Sequence, residues 1–162
     1  YINSDDNFIL KRSEEENLRN YLSSGGFVFI EAYGKPVPEL PPKGGASLKK
    51  MLSDALGATI SLVPIPNDHL LYHCFFDLDD GPPRSMNEYD QLPGNQQSDI
   101  LEGVFIDSRL VALYSEKSFG EAWNKKVVSQ AYQKIGVNAV VLALIQHGGN
   151  SFKLIENAGI IQ

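Results

Sequence analysis

Cysteine and clustered basic residues are scarce in this sequence. Among its 162 residues Cys74 is the single cysteine, so the chain forms no internal disulfide and holds no four-thiolate zinc site. The formal net charge is −6 and no Lys/Arg cluster is present, which makes nucleic acid and anionic membrane surfaces poor partners. No apolar run reaches the length of a membrane span, so we expect no membrane insertion within this segment.

The composition is ordinary for a globular protein, with 43% hydrophobic and 21% charged residues. At this length we predict one domain over residues 1–162. The polar, proline-rich residues 77–99 are predicted to be a long surface excursion, and residues 147–162 a tail. Because the chain starts at Tyr1 and not at Met, we expect that a tag, a signal, an anchor or more of the domain preceded it.

The segment Leu18–Gly34 is the one from which the rest of the fold is predicted. An amphipathic helix ends at Gly25, which supplies a left-handed cap. The run Phe27–Ala32 is apolar on both faces, as is typical of an inner strand of a parallel sheet covered by helices. Glu31 comes at the carboxyl end of this strand, where open α/β sheets usually have their sites. The pair Gly25-Gly26 precedes a strand and not a helix, so it does not form a phosphate-binding loop.

Capping residues, periodicity and β-branched content predict the other elements. The further strands are predicted at Tyr1-Ile2, Thr59–Val63 (ended by Pro64 and Pro66), Val104–Ile106 and Arg109–Ser115. The helices are predicted behind a capping box of Ser13 and Glu16, behind a cap at Ser47 and up to Gly57, as a short turn over Leu70–Phe76, and over residues 127–145. Residues 33–45 are predicted to be a loop. Asp107-Ser108 indicates a hairpin or a bent strand, and the apolar run Val137–Leu144 favours a buried helix.

Glu31 has two interpretations. In the functional one, its carboxylate binds a ligand or a metal ion in the crevice at the edge of the sheet. In the structural one, backbone amides of the following loop satisfy the carboxylate. Both stay open at the level of sequence.

His69 and His73 are spaced four residues apart, with Asp68 before them and Cys74 after. If the turn is helical, both imidazoles share a face and could hold zinc or another transition metal with a third ligand from Asp68, Cys74 or Glu31. In the alternative, one histidine lies in a loop and the other packs among aromatic side chains. Cys74 itself lies in an apolar run, where a free cysteine is more often a small core residue than a nucleophile.

Asp107 and Arg109 are two residues apart in a predicted strand and share a face. Arg109 could clamp an anionic ligand bidentately, or the two could form a surface ion pair worth little energy. Trp123, in a polar loop or short helical turn, and Tyr33 could stack on a ring or serve as ordinary rim packing. Asn138, in a buried helix, is interpreted as structural because a buried amide needs hydrogen-bond partners.

Four segments, taken together, resemble a known family. They are LRNYLSSGGFVFIEAYG, LVPIPNDHLLYHCFFDL, LEGVFIDSRLVALYS and AYQKIGVNAVVLAL. In this order and spacing they resemble the bacterial domain of unknown function 4159 family over about residues 1–145. The resemblance implies an α/β fold of the flavodoxin-like, class I glutamine amidotransferase-like kind, a three-layer sandwich with a mostly parallel central sheet. It also implies that the first strand and helix of the family domain lie upstream of this chain.

The resemblance does not carry a mechanism with it. In amidotransferase-like enzymes the strand after such a helix ends in a strained turn that presents a nucleophilic cysteine. The matching turn, Glu31 to Gly34, contains neither Cys nor Ser, and many relatives have Asp-Asp where this chain has Glu31-Ala32. The resemblance includes His69 and keeps Arg109 as a candidate. It further implies an extracytoplasmic bacterial location and protein partners, near chaperone-like ATPases and von Willebrand-type domains.

Three functions are compatible with these patterns, and whether the protein is an enzyme stays open. The favoured hypothesis is a non-catalytic binding or assembly module with a protein partner and no cofactor, because no catalytic triad can be assembled. The alternative is a metal-dependent or acid-base hydrolase using Glu31, Asp68 and His69, with or without His73. The third is a cysteine hydrolase through Cys74. The predicted ligand-binding residues are Glu31, Asp68, His69, Asp107 and Arg109.

Overall fold

The computed structural model describes residues 1–32, 43–83, 100–124 and 130–158. Within them the chain forms a mixed α/β fold around a five-stranded sheet. The strands are Ile2–Ser4 (β1), Val28–Ala32 (β2), Val63–Pro64 (β3), Glu102–Ile106 (β4) and Arg109–Ser115 (β5), in the spatial order β1-β2-β5-β4-β3. Tyr33, most of the loop predicted at 33–45 and residues 84–99 of the predicted excursion lie outside the described residues.

One strand of the sheet, β4, runs opposite to the other four. β1 pairs with β2, and β2 with β5, in parallel, whereas β4 is antiparallel both to β5 and to β3. The predicted mostly parallel sheet is therefore wrong at β4, whose two pairings are both antiparallel. The cause is the tight turn at Asp107-Ser108, in which Asp107 has φ +54° and reverses the chain, so the hairpin alternative is confirmed. The prediction that β2 is an inner strand is also confirmed, since it has a partner on each side.

The helices are Arg12–Ser23 (α1), Lys43–Leu56 (α2), Phe119–Asn124 (α3), Gln130–Ile145 (α4) and Asn150–Asn157 (α5), with a 3-10 turn at Leu70–Tyr72. The capping box predicted for α1 at Ser13 and Glu16 is wrong. The helix begins one residue before Ser13, and the Glu14 carboxylate accepts a hydrogen bond from the Lys11 amide at 2.7 Å. Gly25 follows the end of α1 with φ +122°, which confirms the predicted glycine cap.

Helix α2 begins at Lys43 and not behind Ser47, so the predicted cap at Ser47 is also wrong. Gly44 explains the earlier start, because a Cβ at this position would lie 2.3 Å from the carbonyl oxygen of Ser4 in β1. The glycine therefore allows the first turn of the helix to pack directly on a strand. Ser47 lies inside the helix, and its hydroxyl accepts a hydrogen bond from the Phe8 amide at 3.2 Å.

Strand β3 is shorter than predicted and displaced toward the carboxyl terminus. The prediction placed a strand at Thr59–Val63 ended by Pro64, but Pro64 pairs with Glu102 in the ladder. Proline is tolerated in this ladder because β3 is the outermost strand of the sheet, where one side of the backbone needs no partner.

The carboxyl-terminal third of the described chain is helical. Helix α4 confirms the main part of the helix predicted at 127–145, although residues 127–129 lie outside the described residues. Trp123 lies in α3. Within the predicted tail, α5 packs against the turn after α1, where the Asn150 amide donates to the Gly25 carbonyl at 3.1 Å.

Both faces of the sheet are covered by hydrophobic clusters. One cluster joins Phe29 and Leu113 of the sheet to α3 and α4 through residues such as Phe119 and Ile135. The other joins the opposite sheet face to α1 and α2, and its buried members are Leu22, Val28, Ile30, Ala32, Leu48, Met51, Leu52, Val104, Val111, Ala112 and Tyr114. Among the described helices, none has both the length and the apolarity needed to cross a bilayer.

Candidate functional site

Glu31 lies at the carboxyl end of β2 and is fully buried, with 0% of its surface exposed. Its carboxylate accepts hydrogen bonds from the Phe119 amide at 2.6 Å and from the Gly120 amide at 2.8 Å, both at the start of α3. The Tyr1 hydroxyl donates to the same carboxylate. Backbone amides thus bond to the carboxylate, as in the structural interpretation of Glu31. These amides belong to α3, however, and not to the loop after β2.

Burial and hydrogen bonding act in opposite directions on this carboxylate. Removal from water raises the pKa of Glu31, while the bonds from Gly120, Tyr1, Phe119 and Ser115 favour the ionised form and oppose that rise. Burial, together with the neighbouring carboxylate, also raises the pKa of the Tyr1 hydroxyl. Glu31 thus connects β2 to the start of α3 and to the first residue of the chain.

An aromatic cluster lies beside Glu31. The ring of Trp123 stacks on Phe119 with centroids 5.7 Å apart and meets Phe29 and Tyr1 at 5.7 and 5.5 Å. The Trp123 indole nitrogen donates to the Tyr132 carbonyl at 2.8 Å. Trp123 is therefore engaged in packing α3 and α4 onto the sheet.

Lys117 is a buried residue that sequence reasoning missed. It follows β5 and is only 2% exposed, and its amide donates to the Ser115 hydroxyl oxygen at 3.0 Å. Ser115 in turn pairs with Glu31 in the sheet register. The polar run around Lys117 resembles an exposed turn, so the sequence contains no signal for its burial.

Arg109 lies at the opposite end of β5, next to the hairpin. Its guanidinium donates to the Gly26 carbonyl at 2.7 Å and to the Leu22 carbonyl at 2.5 Å, where α1 ends and the chain enters β2. Partial burial lowers the pKa of Arg109, and the exposed Asp107 opposes this effect. The fork that could hold an anion is thus occupied by two carbonyl oxygens.

His69 caps the 3-10 turn. Its Nδ1 accepts a hydrogen bond from the Leu71 amide at 3.0 Å, and its ring meets Phe105 edge-on at 5.6 Å. Burial lowers the pKa of His69, which favours the neutral imidazole that this cap requires. Asp68 is exposed next to it.

His73 belongs to a different cluster from His69. Its Nε2 lies 2.8 Å from the Asn67 carbonyl oxygen and its Nδ1 lies 3.3 Å from Asp77 Oδ1. One ligand atom from each of His73, Asp77 and Asp79 lies within 4.8 Å of the others. Hydrogen bonds to Asn67 and Asp77 raise the pKa of His73. Among the described residues this is where a metal ion could be held, and the acidic run 77–80 is the sequence signal that could have indicated it.

Cys74 and Asn138 hold the segment after the 3-10 turn against α4. The Cys74 thiol donates to the Asn138 carbonyl at 3.2 Å, and burial raises the pKa of that thiol. The Asn138 amide nitrogen donates to the Leu71 and Phe76 carbonyls at 2.9 and 2.8 Å, and its oxygen accepts from the Phe76 amide. The structural interpretation of Asn138 is confirmed, and Cys74 lacks the depressed pKa of an activated nucleophile.

The predicted site residues do not converge on one place. Glu31 is in register with Ser115 at the end of β5, whereas Phe105, which contacts His69, pairs with Leu110 near the start of β5. Five residues of extended strand span about 17 Å. The structure therefore places Glu31 and His69 toward opposite ends of the sheet.

The outer surface of α4 is apolar and exposed. Val137, Val140 and Leu144, which we call the α4 stripe, are 40%, 62% and 49% exposed. Their spacing places them on one face of the helix. The run Val137–Leu144 is thus helical, as predicted, but only part of it is buried.

A family model described as "Domain of unknown function (DUF4159)" matches residues 1–144. No curated protein matches the chain.

Proposed function

The chain belongs to the DUF4159 family, and we propose that it is a non-catalytic binding and assembly module that engages a protein partner. We further propose that its scaffold is a flavodoxin-like, amidotransferase-like three-layer sandwich in which the nucleophile has been replaced. The burial of hydrophobic clusters on both sheet faces supports this assignment. The antiparallel β4 would then be a variation on the parallel arrangement.

The bonding of Glu31 carries the proposal. At the strand end where an enzyme of that kind presents its nucleophile, this chain has a fully buried carboxylate that accepts from Phe119, Gly120 and Tyr1. An ionised carboxylate accepts hydrogen bonds only, and these three donors leave little of its capacity for a substrate. The hydrolase alternative needs Glu31 and His69 together, and these lie toward opposite ends of the sheet.

The α4 stripe is the surface we assign to the partner. Exposed contiguous apolar side chains are unusual on a monomer and are typical of interaction sites. Lys134 is the only charged residue in α4, although the protein carries a net charge of −6. An uncharged aliphatic stripe with helical spacing fits the apolar face of an amphipathic helix from another protein, because such helices dock through residues of the same spacing.

A photo-crosslinking amino acid placed at residue 140 tests this function. In the cells that naturally produce the protein, we expect residue 140 to capture one protein that the same probe at Asn17, an exposed polar position on α1, does not capture. The captured protein, once purified, should bind the wild type and N17E equally and V140E at least about tenfold more weakly, because a carboxylate would be desolvated in an apolar contact.

Two results would contradict the proposal. One is equal binding of the captured protein to V140E and N17E. The other is capture of a second copy of this chain, accompanied by concentration-dependent self-association in sedimentation that V140E abolishes, which would make the α4 stripe a homodimer surface.

A further inference from the structure

We propose that His73, Asp77 and Asp79 form a binding site for one divalent transition-metal ion of the zinc type. The site lies after the 3-10 turn and includes no residue of the α4 stripe. It can therefore hold or fail independently of the proposed protein partner.

The three side chains already converge. Their ligand atoms lie within 4.8 Å of one another, and His73 Nδ1 is 3.3 Å from Asp77 Oδ1. Ligand atoms around a zinc ion are separated by about 3–3.5 Å, given bond lengths of about 2.0–2.2 Å. The side chains of the exposed aspartates need to move by at most about 1–2 Å to reach that separation, which their side-chain torsions permit.

A backbone carbonyl outside the cluster sets the orientation of the His73 imidazole. His73 Nε2 lies 2.8 Å from the backbone carbonyl of Asn67, an acceptor, so this nitrogen carries a proton. Histidines that bind metals usually donate their second ring N–H to a carbonyl or carboxylate in this way, which leaves the other nitrogen to face the ion. In His73 the nitrogen left on the side of Asp77 is Nδ1, the one a metal would take.

Backbone hydrogen bonds hold the acidic segment against the turn that carries His73. The Leu78 amide donates to the Tyr72 carbonyl at 2.9 Å, and the Gly81 amide donates to the Leu78 carbonyl at 2.8 Å. These bonds fix Asp77 and Asp79 on either side of Leu78, close to the imidazole. The ligand positions are therefore set by local backbone structure and not by a chance approach of distant surface chains.

The donor set indicates the class of metal. One imidazole with two carboxylates suits zinc and its neighbours among the first-row transition metals, whereas calcium and magnesium prefer oxygen ligands alone. Three protein ligands leave at least one position for water. An ion there would join the 3-10 turn to the acidic segment that follows it.

Titration calorimetry of the tag-free protein with zinc chloride tests the site, with calcium chloride titrated in parallel. We expect one zinc equivalent per chain and binding to calcium that is at least about tenfold weaker. The variants H73Q and D79N should each weaken zinc binding by at least about 10–100-fold, since even the loss of an outer partner has effects of that size. Matched controls are H147Q, an exposed histidine elsewhere, and D80N, an exposed aspartate beside the cluster. Both should bind zinc like the wild type.

The wild-type protein provides a second measurement that does not depend on variant folding. In long-range proton–nitrogen spectra of the imidazoles, zinc should shift Nδ1 of His73 and leave His69 and His147 unchanged. The proposal is overturned if no zinc binds at millimolar concentration, if H73Q and D79N bind as D80N does, or if the resonances of another histidine move instead.

Discussion

The guanidinium of Arg109 donates to the carbonyl oxygen of Leu22, 87 residues earlier in the chain, at 2.5 Å. This bond joins the last turn of α1 to the first residue of β5, and a second bond from the same side chain reaches Gly26. Carbonyls at a helix end lack intrahelical partners, so a cation placed there satisfies them and complements the helix dipole. Arg109 therefore links the end of α1 to β5, the central strand of the sheet.

Replacing Arg109 with lysine should therefore destabilise the fold. A single ammonium group cannot reproduce the planar fork that reaches two carbonyls, and the loss should be about 1–3 kcal/mol in the free energy of unfolding. Urea denaturation measures this, with R12K on the exposed start of α1 as the control, expected within about 0.5 kcal/mol of wild type. Equal stabilities of R109K and R12K would show that the carbonyl contacts contribute nothing.

Replacing Glu31 with glutamine should also destabilise the protein. The amide nitrogen of glutamine is a donor, so it would face either the Phe119 or the Gly120 amide, donor against donor, inside the core. A buried donor left unsatisfied costs about 1–3 kcal/mol. Chemical denaturation of E31Q beside E156Q, an exposed glutamate on α5, measures the effect. A wild-type stability for E31Q would mean that the ionised carboxylate is free for another role.

Replacing Gly44 with alanine should lower the melting temperature of the protein, although replacing glycine with alanine inside a helix usually raises stability. Alanine is favoured over glycine within helices by about 1 kcal/mol. At Gly44, however, the added Cβ would lie 2.3 Å from the Ser4 carbonyl oxygen, and overpacking of this kind costs about 1–3 kcal/mol. Calorimetric scans of G44A and of S53A, a half-exposed position later in α2, test this. A higher melting temperature for G44A would mean that α2 does not pack on β1 so closely.

His69 should make stability depend on pH below about 6.5, the ordinary histidine value. Because burial lowers the pKa of His69 in the folded state, the unfolded chain takes up a proton first as the pH falls, and stability is lost between that value and the lower folded pKa. Protonation of Nδ1 would also remove the acceptor for the Leu71 amide.

The variant H69N isolates this contribution. Asparagine supplies an acceptor at a helix cap but does not titrate in this range. The difference in unfolding free energy between wild type and H69N should therefore shrink, or change sign, as the pH is lowered from 7 to 5. A difference that stays constant over this range would show that His69 has the same pKa in both states.

Local sequence patterns predicted the helix before β2, its glycine cap and the strand β2 correctly, and they gave the hairpin β4–β5 as one of two alternatives. Each depends on residues that are close together in the chain, such as Gly25 at the end of α1 or Asp107 in a two-residue turn. The predicted starts of α1 and α2 were wrong because Ser13 and Ser47, both typical capping residues, lie inside these helices. For α2 the deciding contact, Gly44 against Ser4, joins residues 40 positions apart.

For the candidate site, the sequence predicted which types of residue are present but not which groups they contact. A carboxylate at the end of an inner strand and a buried amide in an apolar helix could be identified, and Asn138 bonds as expected. What Glu31 bonds to was not predictable, since its partners Phe119 and Gly120 are 88 and 89 residues away. The burial of Lys117 had no sequence signal, because its neighbours are polar.

By itself, the sequence determined the elements that short-range interactions specify: a layered α/β chain with a glycine turn before an inner strand, one isolated thiol and an acidic surface. Tertiary structure alone decided the order and direction of the strands and which polar groups are used up inside the fold. The physical reason is that a hydrogen bond stabilises a buried polar group only when a partner from a distant part of the chain arrives in the right geometry. Glu31 and Arg109 have such partners within the protein, whereas the α4 stripe and the side chains of Asp77 and Asp79 are exposed to solvent.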